Sequence, residues 1–198
     1  IRSAPRYTHC ISSAASDGYK RQVMTFVNER LRTHNITEDE WRLGTIFTRG
    51  AGSIIPGKGG STGSTQGVMK FLIALESGKV VDAESSLEMK RLMYMTDRRI
   101  RYATAPALKD AAVYFKSGSL YKCKPEEGYE CAKYKGNVDN FMNSVAIIEH
   151  PDGTKYMVVL MINGLQKNSA SDHSALAASV DKVCILNTSD AADDMQLG

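Results

Sequence analysis

Along residues 17–32 the apolar side chains Val23, Phe26, Val27 and Leu31 recur at offsets of three, four and eight, the spacing of one helical face. A helix is predicted there, with Ser16 or Asp17 available as its N-cap. The same period returns from about Thr65, placing Val68, Phe71, Leu72 and Leu75 on the buried side and Gly78 at the stop, and a third helix is predicted from about Asp82 to Met95. Residues 49–64 hold six glycines, too many for a helix or a central strand, so a long loop is predicted between the first two helices. Beyond residue 105 the texture changes. Residues 112–115, 145–148 and 156–162 are short apolar runs bounded by turn residues and read as three strands. Pro151-Asp152-Gly153 joins the last two at hairpin length, which makes them antiparallel neighbours, and their near-continuous apolarity implies cover on both faces. Leu176, Val180, Val183 and Cys184 mark a closing helix, and the polar, acidic tail 187–198 is expected to be flexible. The expected class is α+β: one lobe over residues 1–198, mainly helical to residue 105, then a three-stranded antiparallel sheet and a C-terminal helix over 106–186.

Length and composition narrow the picture further. A chain of 198 residues, 42% hydrophobic and 24% charged, can bury a core, which excludes wholesale disorder. No apolar run approaches the ~18 residues of a membrane span. Twenty-five Lys plus Arg against 22 Asp plus Glu leave a net charge of +3 without a basic block, so nucleic acid is not an expected partner. The opening Ile1-Arg2-Ser3-Ala4-Pro5 has neither an initiator Met nor an apolar signal core, and the chain is expected to begin inside a longer or processed polypeptide. Cys123 and Cys131 flank a polar segment containing Pro125 and Gly128, and a short disulfide between them is expected. That pairing implies an exported protein, periplasmic or extracellular; two thiols in a cytosolic loop are the alternative. Cys10 and Cys184 either pair or are buried singly.

Candidate chemistry concentrates at Lys116-Ser117-Gly118-Ser119, placed at the end of the first strand. An amine, a hydroxyl and a glycine that permits close approach can hold a carboxylate against a sheet edge, although the tripeptide alone also suits an ordinary turn. Gly52 to Gly59 nearly spells a phosphate-binding loop, but Gly59 stands where a hydroxyl must reach Mg²⁺ and Pro56 removes a donor. His9, His34, His150 and His173 show no metal spacing, so neither metal nor cofactor is expected. Trp41 reads as a core anchor, and the methionines between Met89 and Met95 read as helix packing.

The order of these features, a helix, a Gly-rich loop, a Ser64-Thr65 helix with Met69, Phe71 and Leu72, a Lys-Ser-Gly strand, a hairpin and a final helix, resembles the C-terminal half of the serine β-lactamase and penicillin-binding protein superfamily over residues 12–186. That superfamily carries Ser-x-x-Lys, Ser-x-Asn and Lys-Ser/Thr-Gly, and only the third motif is intact here. The resemblance implies that Lys116 supplies positive charge to a ligand carboxylate and to a serine proton network, that Ser117 hydrogen-bonds the carboxylate, and that the Ser119 backbone N–H is an oxyanion donor. The second motif is degraded to Ser16-Asp17-Gly18 or Ser12-Ser13-Ala14. Both keep the serine and lack the Asn; Ser16 is preferred because the helical face then falls in the family's position, and a plain N-cap is the alternative for either. In the family the nucleophile motif stands some tens of residues before the second motif, so the resemblance places it upstream of Ile1; the Ser-x-x-Lys at Ser119-Leu120-Tyr121-Lys122 lies on a strand, where its Lys cannot point back at the serine. Thr48 falls where the β-lactamases use a loop glutamate, with Glu38 and Glu40 too early, which favours a slow or non-lactamase hydrolase.

The implied function is one part of a penicillin-recognising serine hydrolase that acts by acyl transfer on a peptidoglycan peptide, a β-lactam or a related amide or ester. Its partners would be that small-molecule or peptide substrate and the missing N-terminal segment, which in a complete relative adds two strands to the sheet and the nucleophile's helix. The alternative is an inactive relative that binds a cell-wall or protein ligand in the same groove. If the catalytic reading holds, Lys116 is partly buried and Ser16 or Ser12 approaches it.

Overall fold

The structure, a computed structural model, describes residues 8–44, 61–97, 101–132, 135–166, 175, 178–180 and 182–183, with the backbone alone for residues 8–17, 20, 101 and 102. Two compact units divide the chain, residues 1–74 and 75–198.

The first unit holds helix α1 (Thr8–Thr33), the two-residue strands β1 (Trp41–Arg42) and β2 (Thr62–Gly63), and most of helix α2 (Thr65–Glu76). Helix α1 begins at Thr8, well before the predicted N-cap, so Ser12 and Ser16 lie inside it and neither caps it. Ala14 and Ala15 are strong helix formers, and a helix can run on through the neighbouring serines at a modest cost in propensity. Asn28 fastens the helix to the segment after β1, donating to Leu43 O at 3.0 Å and accepting from Leu43 N at 2.8 Å. Leu31, Ile36, Val68 and Leu72 are buried here. Trp41 meets Phe71 edge-on at 5.1 Å, the anchoring role read from the sequence. Gly67 lets α2 approach closely, since a Cβ there would stand 2.6 Å from the Glu40 carbonyl oxygen.

In the second unit helix α3 (Ala83–Tyr94) starts where predicted, with the Asp82 carboxylate accepting from Ser85 N. Gly78, at φ +68°, ends α2 as the sequence indicated. Two 3₁₀ turns, Arg101–Thr104 and Pro106–Leu108, lead into an antiparallel sheet ordered β3-β4-β5. Its strands are β3 (Ala112–Lys122), β4 (Val138–Glu149) and β5 (Lys155–Leu165), each several residues longer than its apolar run. Lys-Ser-Gly therefore lies in the middle of β3 and not at its end. Backbone pairing carried the strand on through the polar residues 116–122, which periodicity alone does not mark.

Val113 and Phe115 share one face with Ala146, Ile148 and Val158, packed against Ala103, Ala105, Leu108 and Ala111, with Val180 of the helical residues 178–180 against the same cluster. On the opposite face Ile147 is also fully buried, and Tyr114 lies under Tyr94 at 5.6 Å. The sheet is thus covered on both sides, as its apolarity implied. Buried Asn140 ties all three strands where their registers shift: it accepts from Lys122 N and donates to Leu165 O, both at 2.9 Å.

Four charged residues close the other end of the sheet. Lys90 on α3 bonds Glu76 at 2.6 Å and Glu149 at 3.1 Å, and Lys155 bonds the same two carboxylates at 2.5 and 3.0 Å. The Tyr114 hydroxyl donates to Glu149 at 3.2 Å, and the Lys90 amine stands 4.4 Å from the Tyr114 ring centre. Burial alone would raise both glutamates, but hydrogen bonds from Lys155 and Lys90 outweigh it and hold them below the usual carboxylate range.

Candidate functional site

The β4–β5 hairpin fixes which way each backbone group of β3 points. His150 N donates to Thr154 O at 2.9 Å, which makes that pair a hydrogen-bonded one. Alternation along the ladder then turns the even-numbered residues of β4 toward β5 and the odd-numbered ones, through Asn143, toward β3. In the β3–β4 register odd positions of β4 face even positions of β3, so residues 113, 115, 117 and 119 present their N–H and C=O groups on the outer edge. Two bonds agree with this parity: Thr96 Oγ1 donates to Phe115 O at 3.3 Å, and the Lys116 amine donates to Ser117 O at 2.6 Å. Among the described residues no strand lies beyond that edge.

Side chains alternate with the same parity. Lys116 and Gly118 lie on the face of Tyr114, whereas Ser117 and Ser119 lie on the face of the core cluster. Lys116 bridges the difference by curling its amine round to the Ser117 carbonyl. Cation and Ser119 N–H therefore share one edge, separated by two residues of strand, about 7 Å. On the Tyr114 face between them, a Cβ added to Gly118 would meet no described atom within 4 Å. This arrangement can take an anionic group at Lys116 and an electron-rich oxygen at Ser119 N–H.

Lys116 is exposed, where partial burial was expected, because its side chain sits on an edge strand past the cover that α3 gives Tyr114. Ser12 and Ser16 belong to the first unit, their side chains are not described, and the approach of either to Lys116 lies outside the described residues. So do Thr48, the Gly52–Gly59 segment, His173, Cys184 and the tail from Asn187. Cys123 and Cys131 form the expected disulfide, with Cα atoms 5.7 Å apart, closing a loop directly after β3. Asn137 braces that loop, accepting from Lys124 N and donating to Lys124 O and to Glu126. Among the described residues no three His, Cys, Asp or Glu side chains converge to hold a metal. Sequence reasoning missed Thr96 and Ser144, whose relation to the motif is set by strand register and by the end of α3, neither of which leaves a local signal.

The model of a family described as "Beta-lactamase2: Beta-lactamase enzyme family" matches residues 20–184. The chain belongs to the β-lactamase enzyme family. No curated protein matches it. Among solved structures, it is similar to a representative class A β-lactamase from Bacteroides cellulosilyticus, with a TM-score of 0.56 and 18% identity over 81% of this chain. The matched region is 52% of that protein, so the chain spans about half the length of this β-lactamase. At that identity the likeness speaks for the fold: helices with an antiparallel sheet, as in other β-lactamase-like proteins. No helix among the described residues is long and apolar enough to cross a membrane.

Proposed function

We propose that this chain is the ligand-binding part of a penicillin-recognising serine hydrolase that acts by acyl transfer on a β-lactam, a peptidoglycan peptide or a related amide or ester. The observation that carries the reading is the outer edge of β3, where the Lys116 amine, Gly118 and the outward Ser119 N–H stand in line in a member of the β-lactamase family. Lys116 holds the ligand's carboxylate, Ser117 hydrogen-bonds it, and Ser119 N–H stabilises the oxyanion that develops at the attacked carbonyl. The nucleophile comes from a Ser-x-x-Lys helix outside these 198 residues, and Ser16 or Ser12 passes the proton. The Cys123–Cys131 disulfide supports an oxidising, exported location.

The exposure of Lys116 favours a second reading, in which the same edge binds a cell-wall or protein ligand without turnover. An amine in water can still meet an anion, though its attraction is screened, and it is poorly placed to shuttle protons. One titration tests the shared core of both readings. Benzylpenicillin added to the ¹⁵N-labelled chain should move the amide resonances of residues 116–119 and leave the β-lactam intact. Resonances there that stay still at saturating concentration would sink both readings. Turnover that one serine substitution within the chain abolishes would overturn the external nucleophile. Acylation by fluorescent penicillin of a polypeptide that restores the Ser-x-x-Lys segment decides for the hydrolase.

A further inference from the structure

Ser144 stands on β4 directly opposite Ser117. It is 2% exposed, and among the described residues its hydroxyl has no hydrogen-bond partner. Buried hydroxyls without a partner are uncommon in native proteins and ask for a reason. Apart from Ser117, its described neighbours on that face are apolar: Leu160 across β5 and Ala146 and Met142 along its own strand.

The backbone groups of Ser117 turn to the outer edge and those of Ser144 turn to β5. The two therefore form the closer kind of antiparallel pair, with Cα atoms about 4.5 Å apart and side chains directed the same way. At such a spacing, rotation about χ1 between staggered wells brings one hydroxyl within reach of the other. Ser117 is half-buried and sits at the edge, so its hydroxyl has water or ligand on one side and Ser144 on the other.

We propose that Ser144 is a positioning residue for Ser117. When the Ser117 hydroxyl donates its proton to an anionic ligand at the outer edge, its lone pairs turn inward and accept the proton of Ser144. The chain of two hydrogen bonds polarises the outer one and fixes the Ser117 rotamer that points outward. Without ligand, the Ser144 hydroxyl stays unpaired, at a cost to stability that ligand binding recovers. The inference rests on the anion-binding role of Ser117 in the function proposed above and adds the group behind it.

A double-mutant cycle tests it on the full chain, with benzylpenicillin and its methyl ester as probes and calorimetric Kd and Tm as readouts. Ser144→Ala should weaken benzylpenicillin binding roughly three- to tenfold, the worth of one hydrogen bond, and weaken the ester less. Its Tm should be no lower than the parent's, because an unpaired buried hydroxyl has been removed. In a Ser117→Ala background the same substitution should leave the Kd unchanged. Parental affinity in Ser144→Ala overturns the inference alone, as does an equal loss in the Ser117→Ala background, which marks a structural effect. If the parent binds neither probe, the anion site itself fails and the role of Ser144 falls with it.

Discussion

Lys90 offers the sharpest test of what holds the sheet to the helix beside it. Its side chain is 14% exposed, bonded to Glu76 at 2.6 Å and Glu149 at 3.1 Å, and set over the Tyr114 ring at 4.4 Å. Lys90→Met keeps most of the apolar stem and deletes the charge. Removing one partner of a fully buried ion pair costs about 3–5 kcal/mol. Here Lys155 still bonds both carboxylates and water reaches part of the cluster, which lowers the electrostatic loss to about 2 kcal/mol. The lost cation–π contact adds about 0.5 kcal/mol. A net loss of roughly 2–3 kcal/mol at pH 7 corresponds to a fall in Tm of about 5–10 °C for a chain of this size. The pH dependence carries the proof. Burial pushes Glu76 and Glu149 up, but the Lys155 and Lys90 hydrogen bonds hold both low, so their stabilisation is complete above the unfolded value of about 4.3 and disappears as pH falls through the folded value. Burial pushes the Lys90 amine down, but the two carboxylates hold it above its ordinary value, so its contribution is complete below about 10.4 and disappears as pH rises through the folded value. Urea denaturation followed by circular dichroism should therefore show a gap between parent and variant that is flat from about pH 5 to 10 and closes at both ends. A gap below about 0.5 kcal/mol at pH 7, or one that persists unchanged to pH 3, refutes the assignment.

Gly136→Ala would place a Cβ 2.1 Å from Asn140 Oδ1 and 2.8 Å from the Lys122 carbonyl oxygen; a loss of about 1–3 kcal/mol in urea denaturation is expected, and parental stability would show that the Asn140 tie is not rigid. Cys123→Ser should cost about 2–3 kcal/mol, and a reducing agent should bring the parent down to the same level, whereas a parent indifferent to reduction argues that the disulfide adds nothing. Because Lys116 is exposed, its hold on a carboxylate is screened: raising salt from about 0.05 to about 0.5 M should weaken benzylpenicillin binding severalfold, and Lys116→Ala should remove that dependence. An equally salt-dependent variant would place the attracting charge elsewhere.

Helices α2 and α3 were legible because their ends carry chemistry. Gly78 supplies a left-handed stop and Asp82 a side-chain cap, and each is a local signal. The start of α1 was not legible, since Ser16 suits a cap and a helix interior alike and no glycine or proline between Thr8 and Asp17 forced a choice. The strands were found by their apolar cores and cut short where Lys116, Ser117 and Lys122 continue them through ladder bonds alone. Strands β1 and β2 are two residues each, too short for any period. Lys-Ser-Gly and the disulfide were visible as motif and spacing. Glu76, Lys90, Glu149 and Lys155, like Ser117 and Ser144, meet only after the chain has folded, so nothing near any of them in sequence announces the partner.

The Asn140 tie also governs how this molecule can vary. Register from Ala112 to Leu120 is regular, and the irregularity between the disulfide-closed loop and the sheet is absorbed at Leu120/Lys122 and Asn140/Met142, the positions that Asn140 spans. Residues gained or lost between Cys123 and Cys131 therefore leave Lys116 on its face and Ser119 N–H on its edge. A single deletion between Ala112 and Phe115 has the opposite effect, because one step of register exchanges the two faces and sends the lysine toward the core. The loop can be remodelled around new ligands at little risk to the motif, while the short strand before the motif, which carries the buried Val113 and Phe115, admits no change of length.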